Sequence, residues 1–135
     1  SSGAQSQQLL ASAETPYGFF WNGRLTALVK TGVHVETSWD QNITAADMLI
    51  VPKGAKHKAA AMKYIAYATS AASQAKFAEM TGYAPINLDS PALMPKDIRA
   101  TLPDKQAATQ VNADLTYWAK HRDEIGTRWY AWQAK

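Results

Sequence analysis

Cysteine is absent from this chain of 135 residues, which excludes disulfides, thiolate catalysis and cysteine-ligated zinc. Charge is sparse as well: 19% of residues are charged, and 14 Lys and Arg against 11 Asp and Glu leave a formal charge of +3. A nucleic-acid module concentrates positive charge on one face or along a groove. Here the basic residues are scattered apart from Lys53, Lys56 and Lys58 around His57, a group that reads as the solvated start of a helix, so no nucleic-acid partner is expected. No apolar run reaches the roughly 18 residues that mark a membrane span. The opening SSGAQSQQLL lacks the basic flank and apolar stretch of a signal peptide. The expectation is a soluble chain from which any export signal has been removed.

What is present is ordinary for a folded protein. Hydrophobic residues make up 47% of the chain, far from the low-hydrophobicity, high-charge composition of disorder. The length suits one modest domain or part of something larger. The stretch AQSQQLLASAE reads as a short helix with no strand or cap before it, as though the chain were entered partway through a fold.

The first third alternates short runs. YGFFWN, residues 17–22, reads as a strand, and GRLTALVKTG as a helix of one to three turns closed at Gly32, where glycine takes a left-handed cap cheaply. In VHVETSW the alternation of Val33, Val35 and Thr37 against His34, Glu36 and Ser38 has the period of a half-buried strand. DMLIVP is unalternating, as a strand buried on both faces would be, and Pro52 ends it. Strand, helix, strand, strand is an α/β opening.

From Lys53 the pattern turns helical. Met62, Ile65, Ala66 and Thr69 share one face of a helix over about residues 57–68. Ser70 can cap a second helix in which Ala71, Ala75 and Ala78 line one face, Phe77 and Met80 extend the apolar surface, and Gly82 makes the stop. Small side chains suit helices that cover a sheet closely. Four of the six prolines fall between Tyr83 and Lys105, which forbids a long helix and predicts a strap with one-turn helices at SPALM and PKDIRA. In the tail, Leu115, Trp118, Arg122, Ile125, Trp129 and Trp132 step by threes and fours, with Asn112 or Asp114 available as cap. Such a stripe is expected to be packed inside.

Catalytic signatures are scarce. His34, His57 and His121 are far apart and lie in no compact ligand motif. His34 and Glu36 share a strand face, which provides two metal ligands and no third. Asp123 and Glu124 are adjacent on a helix and so diverge by about 100 degrees, unsuited to paired acid–base work. No GxSxG, phosphate-binding glycine loop or dinucleotide fingerprint occurs. What remains suits a small amine: Trp21 at the tip of one strand, Asp47 at the head of another, and Tyr83 just past a helix stop. In α/β folds such positions open onto a crevice. Aromatic faces attract an ammonium and a carboxylate supplies the opposite charge.

The run DMLIVPKGAKHKAAAMKYIAYATSAASQAKFAEMTGYAPIN, residues 47–87, resembles the late portion of bacterial ABC-transporter solute-binding proteins of the spermidine/putrescine-binding type. There a strand ending in I-P-K-x-A is followed by two helices and a G-Y-x-x-x-N turn. FFWNGR resembles the family's W-N-G strand, and TYWAKHRDEIGTRWYAW its terminal helix. The resemblance implies a fold of the α/β class, periplasmic-binding-protein-like of type II, with the chain as a C-terminal segment carrying parts of a mixed sheet and covering helices. It implies residues 1–46 as cleft-lobe strands and helices, 47–82 as a crossing strand and covering helices, and 83–135 as the strap and terminal helices. Trp21 would face the cleft, Asp47 pair with the ligand ammonium and Tyr83 stand near the cleft. The family's aromatic two residues before the aspartate is Ala45 here, with Trp39 and Asp40 upstream as substitutes, which favours a smaller amine or amino-acid-like solute over a long diamine.

The implied function is periplasmic capture of a small amine-bearing solute, polyamine or amino-acid-like, and delivery to an ABC-transporter permease. No cofactor, metal or bond chemistry is implied. Unpaired sheet edges would draw the 135 residues into a strand-exchanged homo-oligomer. Two other classes stay open: a helix-rich protein-interaction module whose tryptophan stripe forms an exposed groove, and a hydrolase with a dispersed triad.

Overall fold

The computed structural model describes residues 3–103 and 108–135. It divides into two units, one of Ser1–Ser38 with Leu49–Lys105 and one of Trp39–Met48 with Gln106–Lys135.

The first unit is helical. Helices α1 (Gly3–Ala11), α2 (Asn22–Lys30), α3 (Lys58–Ala68) and α4 (Ala71–Thr81) are followed by a 3-10 turn, Ser90–Leu93, and the short α5 (Lys96–Ala100). The local signals act where they were expected. The Ser70 side chain accepts a hydrogen bond from the Ser73 backbone N–H at the start of α4, and Gly82 ends that helix in the left-handed conformation, φ 78°. Gly32 follows α2 at φ 89°. The one-turn helices at SPAL and KDIRA interrupt the proline-rich strap, whose last two expected positions, 104 and 105, lie outside the described residues.

That strap crosses α4. Ala75, Ala78, Met94 and Leu102 form a small buried cluster with Ile98 packed against it, so the alanine face of α4 is covered by the strap and not by a sheet. Side-chain hydrogen bonds tie the strap to the α3–α4 corner: Asn87 Nδ2 donates to the Thr69 carbonyl at 2.9 Å, Ser90 Oγ to the Ala71 carbonyl at 3.0 Å, and the Ile86 N–H to Gln74 Oε1 at 3.2 Å. Ser90 is 0% exposed; its hydroxyl is satisfied by donating to a carbonyl in the first turn of α4. On α3 no residue is buried, so the face expected of Met62, Ile65, Ala66 and Thr69 is at most half covered.

The second unit holds a two-stranded parallel sheet and one long helix. Strand β1 (Ile43–Thr44) pairs with β2 (Val111–Asn112), Ile43 opposite Val111 and Thr44 opposite Asn112. Helix α6 (Leu115–Gln133) starts at Asp114, whose carboxylate accepts from the Tyr117 N–H at 2.9 Å.

Three strand expectations are corrected. Residues 17–21, 33–38 and 47–51 carry no strand, because among the described residues none of them has a neighbour with which to build a ladder. The alternation persists as burial only over 33–36, with Val33 and Val35 half-buried and His34 and Glu36 exposed, while Thr37 and Ser38 are both exposed. A strand exists only through a partner, whereas a helix closes its own bonds. The tryptophan stripe is likewise corrected: Trp118, Trp129 and Trp132 are 50, 54 and 64% exposed, and α6 buries no residue. Within their unit β1 and β2 are two residues each, too short to cover a 19-residue helix.

Candidate ligand-binding site

Trp21 and Tyr83 belong to the first unit, and their surroundings are built by the ends of two helices. Trp21 is the N-cap of α2, with extended backbone and no capping bond from its side chain. It is therefore at a helix start, not at the strand tip expected of it, and its indole is 69% exposed. The next residue, Asn22, donates from Nδ2 to the Gly82 carbonyl at 2.6 Å. Gly82 is the last point of α4 before Tyr83, so one hydrogen bond joins the residue after the indole to the residue before the phenol.

The following position explains its own residue type. An added Cβ on Gly23 would lie 2.7 Å from Tyr83 Cζ and 3.0 Å from the Thr81 carbonyl oxygen, so the Tyr83 ring rests directly on the α2 backbone, which only glycine permits. On its other side Tyr83 stacks with Phe77, centroids 6.4 Å apart and planes at 19°. Thr26 occupies the space a Gly82 side chain would need, and its Oγ1 donates to the Asn22 carbonyl at 3.1 Å. From the far end of α2, Lys30 Nζ reaches the Glu79 and Met80 carbonyls at 3.2 and 3.1 Å. These are free acceptors in the last turn of α4, where a cation is electrostatically favoured.

Asp47, Trp39 and Asp40 belong to the second unit. Trp39 is half-buried and opens a turn in which its carbonyl accepts from the Asn42 N–H at 3.2 Å. Asp40 lies in that turn, exposed, and Asp47 is exposed on the irregular segment after β1. Neither carboxylate has a hydrogen-bonding or ionic partner among the described residues, so both are free for a cation from outside.

Sequence reasoning passed over Asn22, Gly23 and Arg24. The signal for Arg24 was composition: an amino-acid ligand carries a carboxylate as well as an ammonium, and Arg24 is a cation three residues past Trp21. Its backbone N–H bonds the Trp21 carbonyl at 2.9 Å, and its exposed guanidinium has no ion-pair partner among the described residues. Nothing in the sequence pointed to the long-range partner of Asn22.

Two shallow hollows mark the first unit. One of about 300 Å³ lies over α4 between Ala72, Ala75, Lys76, Glu79, Leu93 and Pro95. The other, about 200 Å³, is lined by Ser6, Leu9, Thr15, Tyr17, Gly18, Phe19 and Phe20. Neither contains Trp21 or Tyr83. Among the described residues no group of three His, Asp or Glu could hold a metal ion. His121 Nδ1 lies 3.4 Å from Glu124 Oε2 one turn along α6, and no described histidine joins both a serine and a carboxylate, the arrangement a triad hydrolase requires. No helix of the described residues is long and apolar enough to cross a membrane.

Comparison with known proteins gives this geometry a context. A family model described as bacterial extracellular solute-binding protein matches residues 1–110. A gamma-aminobutyric acid-binding protein of Pseudomonas aeruginosa is 33% identical over 135 residues, 98% of this chain and 38% of that protein. Among solved structures, the Atu4243-GABA receptor is 67% identical with a TM-score of 0.89, over 100% of this chain and 42% of that one. An ABC transporter substrate-binding protein from Bradyrhizobium japonicum USDA 110 is 30% identical with a TM-score of 0.84, over 97% and 42% of the two chains. The agropinic acid complex of AgtB from Agrobacterium shares the fold at 24% identity and TM-score 0.77. The chain thus spans about two fifths of the length of the relatives it matches. The spermidine/putrescine subgroup suggested by the VPKGAK run is not named among these relatives: two carry gamma-aminobutyric acid in their names and one agropinic acid.

Proposed function

Because this chain belongs to the bacterial extracellular solute-binding protein family, we propose that it is part of a periplasmic receptor for a small zwitterionic amino acid of the γ-aminobutyric type. The receptor would pass this solute to an ABC-transporter permease. The observation that carries the reading is the 67% identity to the Atu4243-GABA receptor across the whole chain, helix α6 included. That likeness also favours the receptor over the interaction module, whose mark was the exposed tryptophan stripe: the stripe accompanies a solute-binding fold.

The chemistry available fits such a ligand. Within the first unit Arg24 offers a planar guanidinium suited to bidentate hydrogen bonding with a carboxylate, and within the second Asp47 offers an unpaired carboxylate suited to an ammonium. In the first unit the faces of Trp21 and Tyr83 suit a methylene chain or a cation; in the second, Trp39 offers another aromatic face and the adjacent Asp40 a second carboxylate. Capture would proceed by lobe closure, the ligand shifting the population toward the closed form through contacts that the open form lacks.

The test is calorimetric titration of the intact protein with γ-aminobutyric acid, butylamine, butyrate and putrescine. Saturable 1:1 binding of the zwitterion, at least about tenfold tighter than either one-charge analogue, is the expected outcome, since each charged contact is worth a decade or more. Equal binding of putrescine or butylamine would defeat the zwitterion reading.

A further inference from the structure

We propose that Asn22, with Lys30 as a second tether, is a positioning residue that sets the placement of Tyr83 relative to Trp21 and thereby the length of amino acid the receptor prefers. The inference rests on the receptor reading above and adds to it the part that decides specificity.

Both aromatics hang from helix ends, the least constrained parts of a helix. Trp21 has no capping bond of its own, and α2 has only nine residues, too few to hold its shape without tertiary support. Tyr83 leaves α4 through the left-handed Gly82. Left alone, the two rings would move with two independently fraying ends. The Asn22 amide removes that freedom, because its acceptor is the carbonyl of the peptide that carries Tyr83. At 2.6 Å the contact is shorter than the usual N–H···O distance of about 2.9 Å.

That bond and the buried Leu28 hold the body of α2, and a second bond secures its far end. Lys30, eight residues on and so about 12 Å along the helix axis, grips the Glu79 and Met80 carbonyls. The two attachments fix both the position and the direction of α2 against the end of α4. Gly23 lets the Tyr83 ring close onto the α2 backbone between them. Trp21 and Tyr83 thus belong to one rigid piece, and a fixed aromatic pair discriminates chain length where a mobile pair would adapt.

The experiment titrates the intact protein and its Asn22→Ala and Lys30→Met variants with β-alanine, γ-aminobutyric acid and 5-aminopentanoic acid, which differ by one methylene each. Asn22→Ala is expected to lower γ-aminobutyric acid affinity about tenfold and bring the three homologues within about threefold of one another. Lys30→Met, at an exposed site compatible with folding, should flatten the preference in the same direction to a smaller degree, and it decides the matter if Asn22→Ala does not fold. A lowered melting temperature with the preference intact in both variants would mean a merely structural role and overturn the inference. So would a parent protein that shows no preference. Trp21→Ala and Tyr83→Ala separate the two levels: if they bind γ-aminobutyric acid as the parent does, the receptor-site reading fails and the positioning role with it. If they lose binding while Asn22→Ala and Lys30→Met keep the parent's preference, only the positioning role fails.

Discussion

Asn22 and Gly82, 60 residues apart in the chain, are joined by a single side-chain to backbone hydrogen bond of 2.6 Å. It brings together two short motifs, Trp-Asn-Gly and Gly-Tyr, that have no visible connection in sequence. It also gives the asparagine and both glycines a physical reason: donor, close approach and left-handed turn.

Gly23→Ala tests the close approach. The new methyl would meet the Tyr83 ring on one side and the Thr81 carbonyl on the other, and the carbonyl, being backbone, cannot rotate away. A loss of about 1–3 kcal/mol in urea unfolding is expected, although alanine is intrinsically the better helix former. A stabilised variant would show that the ring does not lie where it is described.

Met94→Ala tests the strap. Met94 is buried against the alanine face of α4, so truncation should cost about 2–4 kcal/mol. Ser90→Ala removes the tie to the Ala71 carbonyl and should cost about 1 kcal/mol. Both are measured by chemical denaturation, and a negligible effect of Met94→Ala would mean that the strap is not docked.

The helix caps give smaller effects. Replacing Ser70 or Asp114 by alanine removes the acceptor for the Ser73 or Tyr117 N–H and should destabilise by about 1 kcal/mol each. For Asp114 the change should also lower helical circular dichroism, because α6 buries no residue that would hold it in place; an unchanged spectrum at elevated temperature would contradict the cap's role.

Asp47→Asn keeps the shape and removes the charge. For γ-aminobutyric acid the affinity should fall about 10- to 100-fold, and Arg24→Gln should do the same while sparing butylamine, which has no carboxylate. Unchanged affinity in Asp47→Asn would remove that residue from the site.

Residues 1–135 prepared alone should self-associate. Phe19, Ile50, Leu88 and Trp132 are among the large apolar side chains left open. Sedimentation should show species above monomer mass at concentrations near 100 µM, an order at which exposed apolar patches associate. A monodisperse monomer that binds no hydrophobic dye would refute this.

The chain's own letters determined whatever depends on neighbours within about four residues. The start of α4 at Ser70, its stop at Gly82, the start of α6 at Asp114 and the broken strap between prolines all follow from capping oxygens, a left-handed glycine and missing N–H groups, which act locally. The tertiary structure alone decided what depends on distant partners. Residues 17–21, 33–38 and 47–51 have the composition of strands and form none, since a ladder needs a second segment beside it. The α6 tryptophans have the spacing of a buried stripe and remain open, since burial needs something across from them. The Asn22 amide found its acceptor 60 residues away, and no periodicity in a sequence specifies which remote carbonyl a side chain will meet.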